Sequence, residues 1–340
     1  MVKSLFVVNP SGVERPIGVW GALARGFERV AAQPLLLVPP ILLDLFFWFG
    51  PHLTVSAIMQ QVLQGLTFPS SSEPTLVDQM KAMRELLAEL GSRFNLLTAL
   101  SSFPVGIPSL MAARLPIGTP LGAPQQLEIA DPGLALLLWA GLTVAGLGIV
   151  SLYLRAAAIQ IAPVKEIASG FSAWARLCLL AAGIVLGGIL MGTAVVFVAT
   201  LAALIAPLLE MVIIFLGFSA IFWAAVYLAF TPHGIVRYRY GVFRAMMESV
   251  LLVRWNLVAC IAFLSISFAL TYVTNIIWTM PEETSWFAAL AILGHAFVSA
   301  MLVVSSYAFY QGRHQWLSAL RAATTARVMG DAQPPAGPAA

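Results

Sequence analysis

Six long apolar stretches alternate with more polar segments along the chain. A hydrocarbon core about 30 Å thick is crossed by roughly 20 apolar residues in a helix. Stretches of about this length cover residues 34–50, 133–154, 177–206, 208–230, 257–279 and 286–310. The third and fourth are nearly continuous, and a single helix of their combined length would overshoot a bilayer, so the chain must turn back near Pro207. The pattern predicts an all-α transmembrane bundle of six spans in three hairpins.

Each odd-numbered stretch follows a segment that mixes apolar and basic residues. These segments cover residues 21–30, 166–176 and 240–255. In the last one, apolar residues recur at helical spacing from Val242 to Leu251, while Arg244 and Glu248 lie on the other face. Such a pattern is typical of a helix lying among the lipid headgroups, with cations near phosphate. We therefore expect an interfacial elbow helix before each hairpin, with an ordinary amphipathic loop as the alternative.

The loop between the first two spans, residues 51–132, is the longest polar segment. Its first half predicts an amphipathic helix whose apolar face carries Leu76, Met80, Met83, Leu87, Leu90, Phe94, Leu97 and Leu100. Its second half is rich in proline and glycine, which predicts irregular or extended chain. We expect a cap over the bundle or on the membrane surface; a lid that grips a ligand is the alternative. Residues 1–329 then form one membrane domain, and residues 330–340 (GDAQPPAGPAA) a disordered tail.

Composition agrees with a membrane location. Sixty per cent of the 340 residues are apolar and 10% are charged, against about 25% charged in ordinary soluble domains. A soluble fold could not cover this much apolar surface with a polar exterior. The chain therefore belongs in a bilayer, with membrane lipids as partners and other membrane proteins as further candidates.

The distribution of cations predicts the orientation. Of the 18 Lys and Arg residues, only four lie on the side of the long loop: Lys81, Arg84, Arg93 and Arg114. Because positive residues stay on the cytoplasmic side, both termini are expected there, in a bacterial-type plasma membrane. The formal charge of +3 is explained by this asymmetry, so nucleic acid is not an expected partner.

Known catalytic and cofactor motifs do not occur in the sequence. It contains no phosphate-binding GxxxxGK[ST], no HExxH, no GxSxG and no paired cysteines. Cys178 and Cys260 fall in or beside apolar stretches, which favours packing over a disulfide. The four histidines lack ligand spacing. We expect no cofactor and no metal.

Three polar residues lie deep within the predicted spans: Asp44, His295 and Ser219. Ionisable residues inside a membrane are costly and mark candidate functional sites. Asp44 and His295 could exchange a proton in a transport site, or His295 could activate Ser219 in an intramembrane hydrolase. The third interpretation is structural, with a buried Asp–His pair holding two spans together and Ser219 bonded to its own helix.

Two family resemblances bear on these alternatives. The three elbows and the stretch AMMESVLLVRW at residues 245–255 resemble bacterial multi-pass families of unknown function and the membrane domain beside some glycerophosphodiester phosphodiesterases. There the catalytic domain is a separate soluble module, so this resemblance implies a membrane bundle and no activity.

The chain also resembles the rhomboid proteases, which have six core spans, a large first outer loop, a GxS motif on the fourth span and a histidine on the sixth. Gly217-Phe218-Ser219 and His295 stand in the matching spans, which implies a Ser219 nucleophile and a His295 base. The sequence departs from that family where its second span has no His or Asn, its first loop lacks the Trp-Arg pair, and glycines are missing after His295.

The sequence favours a non-enzymatic membrane protein that organises or assists other membrane components. A transporter of small solutes or lipids is the alternative, and an intramembrane serine hydrolase is the third candidate. Transport requires water to reach Asp44, and hydrolysis requires Ser219 and His295 within hydrogen-bonding distance.

Overall fold

The structure is a computed structural model that describes residues 16–65, 74–101 and 106–331. In chain order its helices are α1 (Val19–Ala32), α2 (Val38–Phe49), α3 (Ser56–Gly65), α4 (Pro74–Arg93), α5 (Leu110–Arg114), α6 (Pro132–Ile159), α7 (Gly170–Ala203), α8 (Pro207–Leu228), α9 (Thr231–Tyr238), α10 (Val242–Trp255), α11 (Leu257–Thr279) and α12 (Phe287–Asp331). Two short strands, β1 (His52–Thr54) and β2 (Gln126–Glu128), pair in parallel. Short 3₁₀ turns cover Pro34–Leu37, Leu96–Ser101 and Val164–Glu166.

Five helical segments in the described residues are long and apolar enough to cross a membrane. They are α6, α7, α11, α12 and the segment Pro207–Tyr238, which comprises α8 and α9. A sixth crossing is possible only as a bent pair, because α1 and the segment Pro34–Phe49 meet at an angle of 97°. Pro34 lacks a backbone donor and disfavours helix at the residue before it, so α1 ends at Ala32. These apolar helices are those of a multi-pass membrane protein.

The long apolar stretch around Pro207 is divided into two helices. Helix α7 ends at Ala203 and α8 begins at Pro207, where a proline occupies the first helical position. The two helices pack along each other, and Gly217 of α8 faces the side chain of Val195 on α7 so closely that a Cβ there would collide with it.

Two of the three predicted elbows are separate helices, α1 and α10. The segment 166–176 differs from the prediction, because it forms the end of a 3₁₀ turn followed by the first turns of α7. The hydroxyl of Ser169 accepts a hydrogen bond from the Ser172 amide and starts α7 at Gly170. No helix breaker follows, so the helix continues into the apolar stretch.

Helix α1 packs along the second half of the apolar part of α12. Ile17 lies against Gly312, Gly26 lies directly against Ser305, and the rings of Phe27 and Phe297 are 5.4 Å apart. The end of the bundle where Ile17 meets Gly312 is termed the termini end. The opposite end, which carries the described residues between 51 and 131, is termed the cap end. Helix α1 therefore lies against protein along much of its length.

The main apolar core lies between α2, α6, α12 and the cap. Trp48, Leu147 and Val150 are fully buried in it. The cap contributes to the same core, since Leu110 and Met111 of α5 have no exposed surface. The long loop therefore inserts a segment into the bundle. The sequence had predicted only a cap lying over the bundle or on the membrane surface.

The predicted cap helix is shorter than expected. Helix α4 ends at Arg93, because the Asn95 side chain accepts hydrogen bonds from the amides of Leu53 and Leu97 and redirects the chain into a 3₁₀ turn. The rest of the proline-rich half is mostly irregular, as predicted, apart from α5 and β2. Leu76 and Met80 lie outside the described side chains, and the predicted tail, 330–340, lies outside the described residues beyond the end of α12 at 331.

Candidate functional site

Asp44 lies in the middle of α2 and has no exposed surface. Its helical neighbours Leu43, Phe47 and Trp48 are buried with it. A carboxyl group removed from water is costly unless hydrogen bonds or a counter-charge compensate it. Its partners therefore indicate what this residue does.

The described hydrogen bonds to Asp44 come from the cap, at Ser109, Leu110 and Met111. Its Oδ1 accepts one from the Ser109 hydroxyl at 2.5 Å and one from the Met111 amide at 2.9 Å. The Ser109 oxygen in turn accepts from the Ala112 amide at 3.0 Å and begins α5. We term the group formed by Asp44, Ser109 and Met111 the Asp44 latch, because it fastens the inserted segment of the cap to α2.

Further contacts hold the cap to the turn between α11 and α12. The indole nitrogen of Trp48 donates to the Glu283 carbonyl at 2.8 Å, and the Glu283 carboxylate accepts from the Ile117 amide at 3.1 Å. The guanidinium of Arg114 donates to the Pro281 carbonyl at 2.8 Å. These hydrogen bonds join α2 and the cap to a turn that lies far from both in sequence.

The latch leaves one polar atom unpaired. Within the described part of the chain, Asp44 Oδ2 has no hydrogen-bonding partner although it is buried. No described cation forms an ion pair with Asp44 either. The hydrogen bonds from the cap to the other oxygen, Oδ1, suit a structural fastening of α5 to α2.

His295 lies on α12 and is only 8% exposed. Its Nε2 is 3.4 Å from the hydroxyl of Ser299, one turn along the same helix. The hydrogen bonds of Asp44 and His295 therefore go to different residues, and none joins the two side chains directly. The sequence offered a buried Asp–His pair as one interpretation, and the described residues contain no hydrogen bond of that kind.

Ser219 is half-buried on α8, which packs chiefly against α7 and α10. No hydrogen bond connects it to His295 among the described residues. The serine–histidine contact that hydrolysis requires is therefore not formed in this structure. Among the described residues, no hydrogen bond joins any two of the three residues singled out from the sequence.

Sequence reasoning missed the serine that bonds Asp44. Ser109 follows a proline and precedes an apolar run, which is a recognisable helix start. Nothing local connects it with Asp44, 65 residues earlier. A group of aromatic and histidine side chains at the termini end, around His233 and Tyr310, also went unnoticed because its members are distant in sequence.

Glu128 organises the base of the cap. It lies on β2 and accepts hydrogen bonds from the Thr54 hydroxyl at 2.6 Å, the Ser56 hydroxyl at 2.8 Å and the Ala57 amide at 2.7 Å. Slight desolvation raises the pKa of this carboxyl group, but the three donors outweigh it and hold the pKa below its usual range. Glu128 thus joins β1, β2 and the start of α3.

Comparison of the chain with protein-family models, with curated proteins and with solved structures gives no match. In the described residues, no group of three or more His, Cys, Asp or Glu side chains is placed to hold a metal ion. Function is therefore inferred from the geometry of this chain alone.

Proposed function

We propose that this protein is a non-enzymatic membrane protein that assists other membrane components, and that it does so by binding a transmembrane helix of a partner protein on α7. The observation that carries the proposal is a set of glycines on α7 that the chain itself does not use. A Cβ added to any of them would meet nothing within 4 Å: Gly183, Gly187, Gly188 and Gly192.

Three other helical glycines in this protein have an internal reason. Gly26 allows α1 to approach Ser305, Gly217 allows α8 to approach Val195, and Gly294 accommodates the Trp278 ring. A glycine inside a helix is about 1 kcal/mol less favourable than alanine. The four glycines of α7 have no such neighbour within the chain, which supports a close contact with a second helix.

Small residues are the means by which transmembrane helices approach each other closely. Gly183 and Gly187 are spaced four apart, as are Gly188 and Gly192, which is the spacing of helix–helix contacts in membranes. Only 6% of the most apolar part of α7 is buried inside the chain, against 44% for α12. Helix α7 therefore presents a surface on which another helix could pack backbone to backbone.

The other candidates have less support. A transport site at Asp44 would need water at a carboxyl group that is enclosed by α5. A hydrolase would need a bond between Ser219 and His295. The closed cap and the exposed glycines favour the assisting role, with the latch fixing the cap end while α7 remains available.

The proposal is tested by photocrosslinking in the native membrane. A crosslinking amino acid replaces Leu190, which is 63% exposed on α7, and in a parallel experiment Phe268, which is exposed on α11. A discrete adduct with another membrane protein is expected from position 190 only. Adding Gly187→Leu should abolish it, because the side chain would separate the two backbones.

Gly141→Leu is the matched control, since this glycine of α6 also has open space around its Cβ position. It should leave the adduct unchanged. An adduct that persists in Gly187→Leu would contradict docking on α7. An adduct consisting of two copies of this chain would show self-association in place of assistance to a partner.

A further inference from the structure

At the termini end, aromatic and histidine side chains of α9 and α12 meet in a region that we term the crossing. Helix α9 begins at Thr231, after the break that follows Leu228, and has Pro232 in its first turn. The ring of His233 then lies 4.5 Å from that of Tyr307 and 5.6 Å from that of Tyr310, between centroids. The Tyr310 hydroxyl reaches α9 at Gly234, where a Cβ would lie 3.0 Å from it.

Five polar atoms of this crossing are buried and have no hydrogen-bonding partner among the described residues. They are Thr231 Oγ1, His233 Nδ1, Tyr238 Oη, Tyr307 Oη and Tyr310 Oη. Thr231, Tyr307 and Tyr310 are at most 1% exposed. The other nitrogen of His233, Nε2, is already engaged with the Ser306 hydroxyl at 2.7 Å.

So many unpaired atoms in one place would be very unfavourable. Buried polar groups are almost always hydrogen-bonded, and each one left alone loses the full free energy of its hydration. Five together would cost a large part of the stability of an ordinary protein. These atoms therefore require a partner that is not part of the polypeptide.

The chemistry of the crossing restricts that partner. Hydroxyl groups and one imidazole nitrogen line it, and the nearby Arg237 is already paired with Glu166 at 2.9 Å. A charged guest would find no free counter-charge among these groups. The neighbouring rings lie at the centroid separations of packed aromatic pairs, so only a very small guest fits between their polar atoms.

We propose that α9 and α12 enclose an internal hydration site, in which ordered water molecules bridge His233 Nδ1 and the hydroxyls of Tyr307 and Tyr310. Water both donates and accepts, and buried water molecules commonly make about three hydrogen bonds to otherwise unpaired groups. The hydroxyls of Thr231 and Tyr238 complete the shell.

The site has a connection toward solvent at the termini end. The ring of Tyr238 stacks on that of His314 at 4.0 Å, and His314 Nε2 lies 3.1 Å from the Tyr240 hydroxyl. His314 and Tyr240 are only half-buried. A line of polar aromatic residues thus leads from the edge of the bundle to His233, and water can enter along it.

Hydroxyl-radical footprinting by X-ray irradiation tests the proposal on the intact protein in nanodiscs. Radicals formed from bound water label the side chains beside it, whatever their exposure to bulk solvent. Tyr307 and Tyr310 should be labelled, whereas Phe309 should not, although all three lie on α12 and are at most 1% exposed. Labelling of the tyrosines at or below the level of Phe309 would overturn the proposal.

Removal of the tyrosine hydroxyls supplies a second measurement. The change in the unfolding constant distinguishes hydroxyls that are bridged by water from hydroxyls that are unpaired. If water bridges the tyrosines, Tyr307→Phe and Tyr310→Phe should each raise the unfolding constant about threefold to tenfold. In the double variant the unfolding constant should rise by less than the product of the two single factors, because both changes disrupt the same water. If the hydroxyls are unpaired, either change should leave the unfolding constant unchanged or lower it, which would overturn the site. Tyr272→Phe, at an exposed position of α11, is the control and should have no effect.

Discussion

The hydroxyl of Ser109 donates a hydrogen bond to the carboxylate of Asp44, across 65 residues of sequence and from the cap into the bundle. This contact gives the buried acid a hydrogen-bonding partner in the cap. It also explains why α5, a helix of five residues, is held among fully buried side chains of the core.

Asp44 should therefore tolerate an amide better than an apolar residue. In Asp44→Asn the side-chain oxygen can still accept from Ser109 and Met111, whereas Asp44→Leu leaves both donors unpaired. We expect Leu to lower the free energy of unfolding by about 1–3 kcal/mol more than Asn. Unfolding in mixed detergent micelles measures the difference, and equal losses would show that the latch contributes nothing.

Coupling energies should show that Asp44 interacts with Ser109 and not with His295, the partner expected from the sequence. Asp44→Leu combined with Ser109→Ala should be non-additive, since both changes break one contact. Asp44→Leu combined with His295→Leu should be additive within about 0.5 kcal/mol, because the two share no hydrogen bond. A double-mutant cycle for each pair provides the values, and strong coupling to His295 would require a contact that this structure lacks.

The cap end and the termini end should lie on opposite sides of the membrane. In a variant with Cys178 and Cys260 replaced by alanine, a cysteine introduced at the exposed position Gln125 should react with an impermeant thiol reagent added to intact cells. A cysteine at Ser318, beyond the termini end, should react only after the membrane is permeabilised. Equal reaction at both positions in intact cells would contradict cytoplasmic termini.

The base of the cap should loosen in acid. Folding lowers the pKa of Glu128, so its stabilising contribution is fully present above the unfolded pKa of about 4.3 and is lost as the pH falls through the lower folded value. Amide exchange in β1 and the start of α3 should accelerate over that range. In Glu128→Gln, exchange should already be faster at neutral pH and should lack this acid transition.

Glu85→Gln is the control for this experiment, because Glu85 is exposed on α4 and forms no described hydrogen bond to β1 or α3. It should retain the acid transition. An unchanged transition in Glu128→Gln would show that another carboxyl group controls the base of the cap.

The depth of Asp44 shows how far sequence reasoning reaches. The sequence places Asp44 and His295 deep within two predicted spans. In the structure, Asp44 is four residues from Trp48, which is bonded to Glu283 at the cap end, so it lies only about 6 Å along α2 from that contact. The 97° bend before α2 makes the count from the other end misleading, because the preceding segment does not continue in the same direction.

The apolar stretches predicted five helices long enough to cross a membrane and the break before Pro207, whereas the stretch 34–50 reaches that length only as a bent pair with α1. A helix in a bilayer is stabilised by burying its own side chains in lipid, so its existence depends on local length and hydropathy. The insertion of α5, the bond between Ser109 and Asp44, and the crossing of His233 with Tyr307 and Tyr310 were decided only by the tertiary structure. Each depends on which surfaces of distant segments meet, and polar partners far apart in sequence leave no periodic pattern that would reveal the pairing.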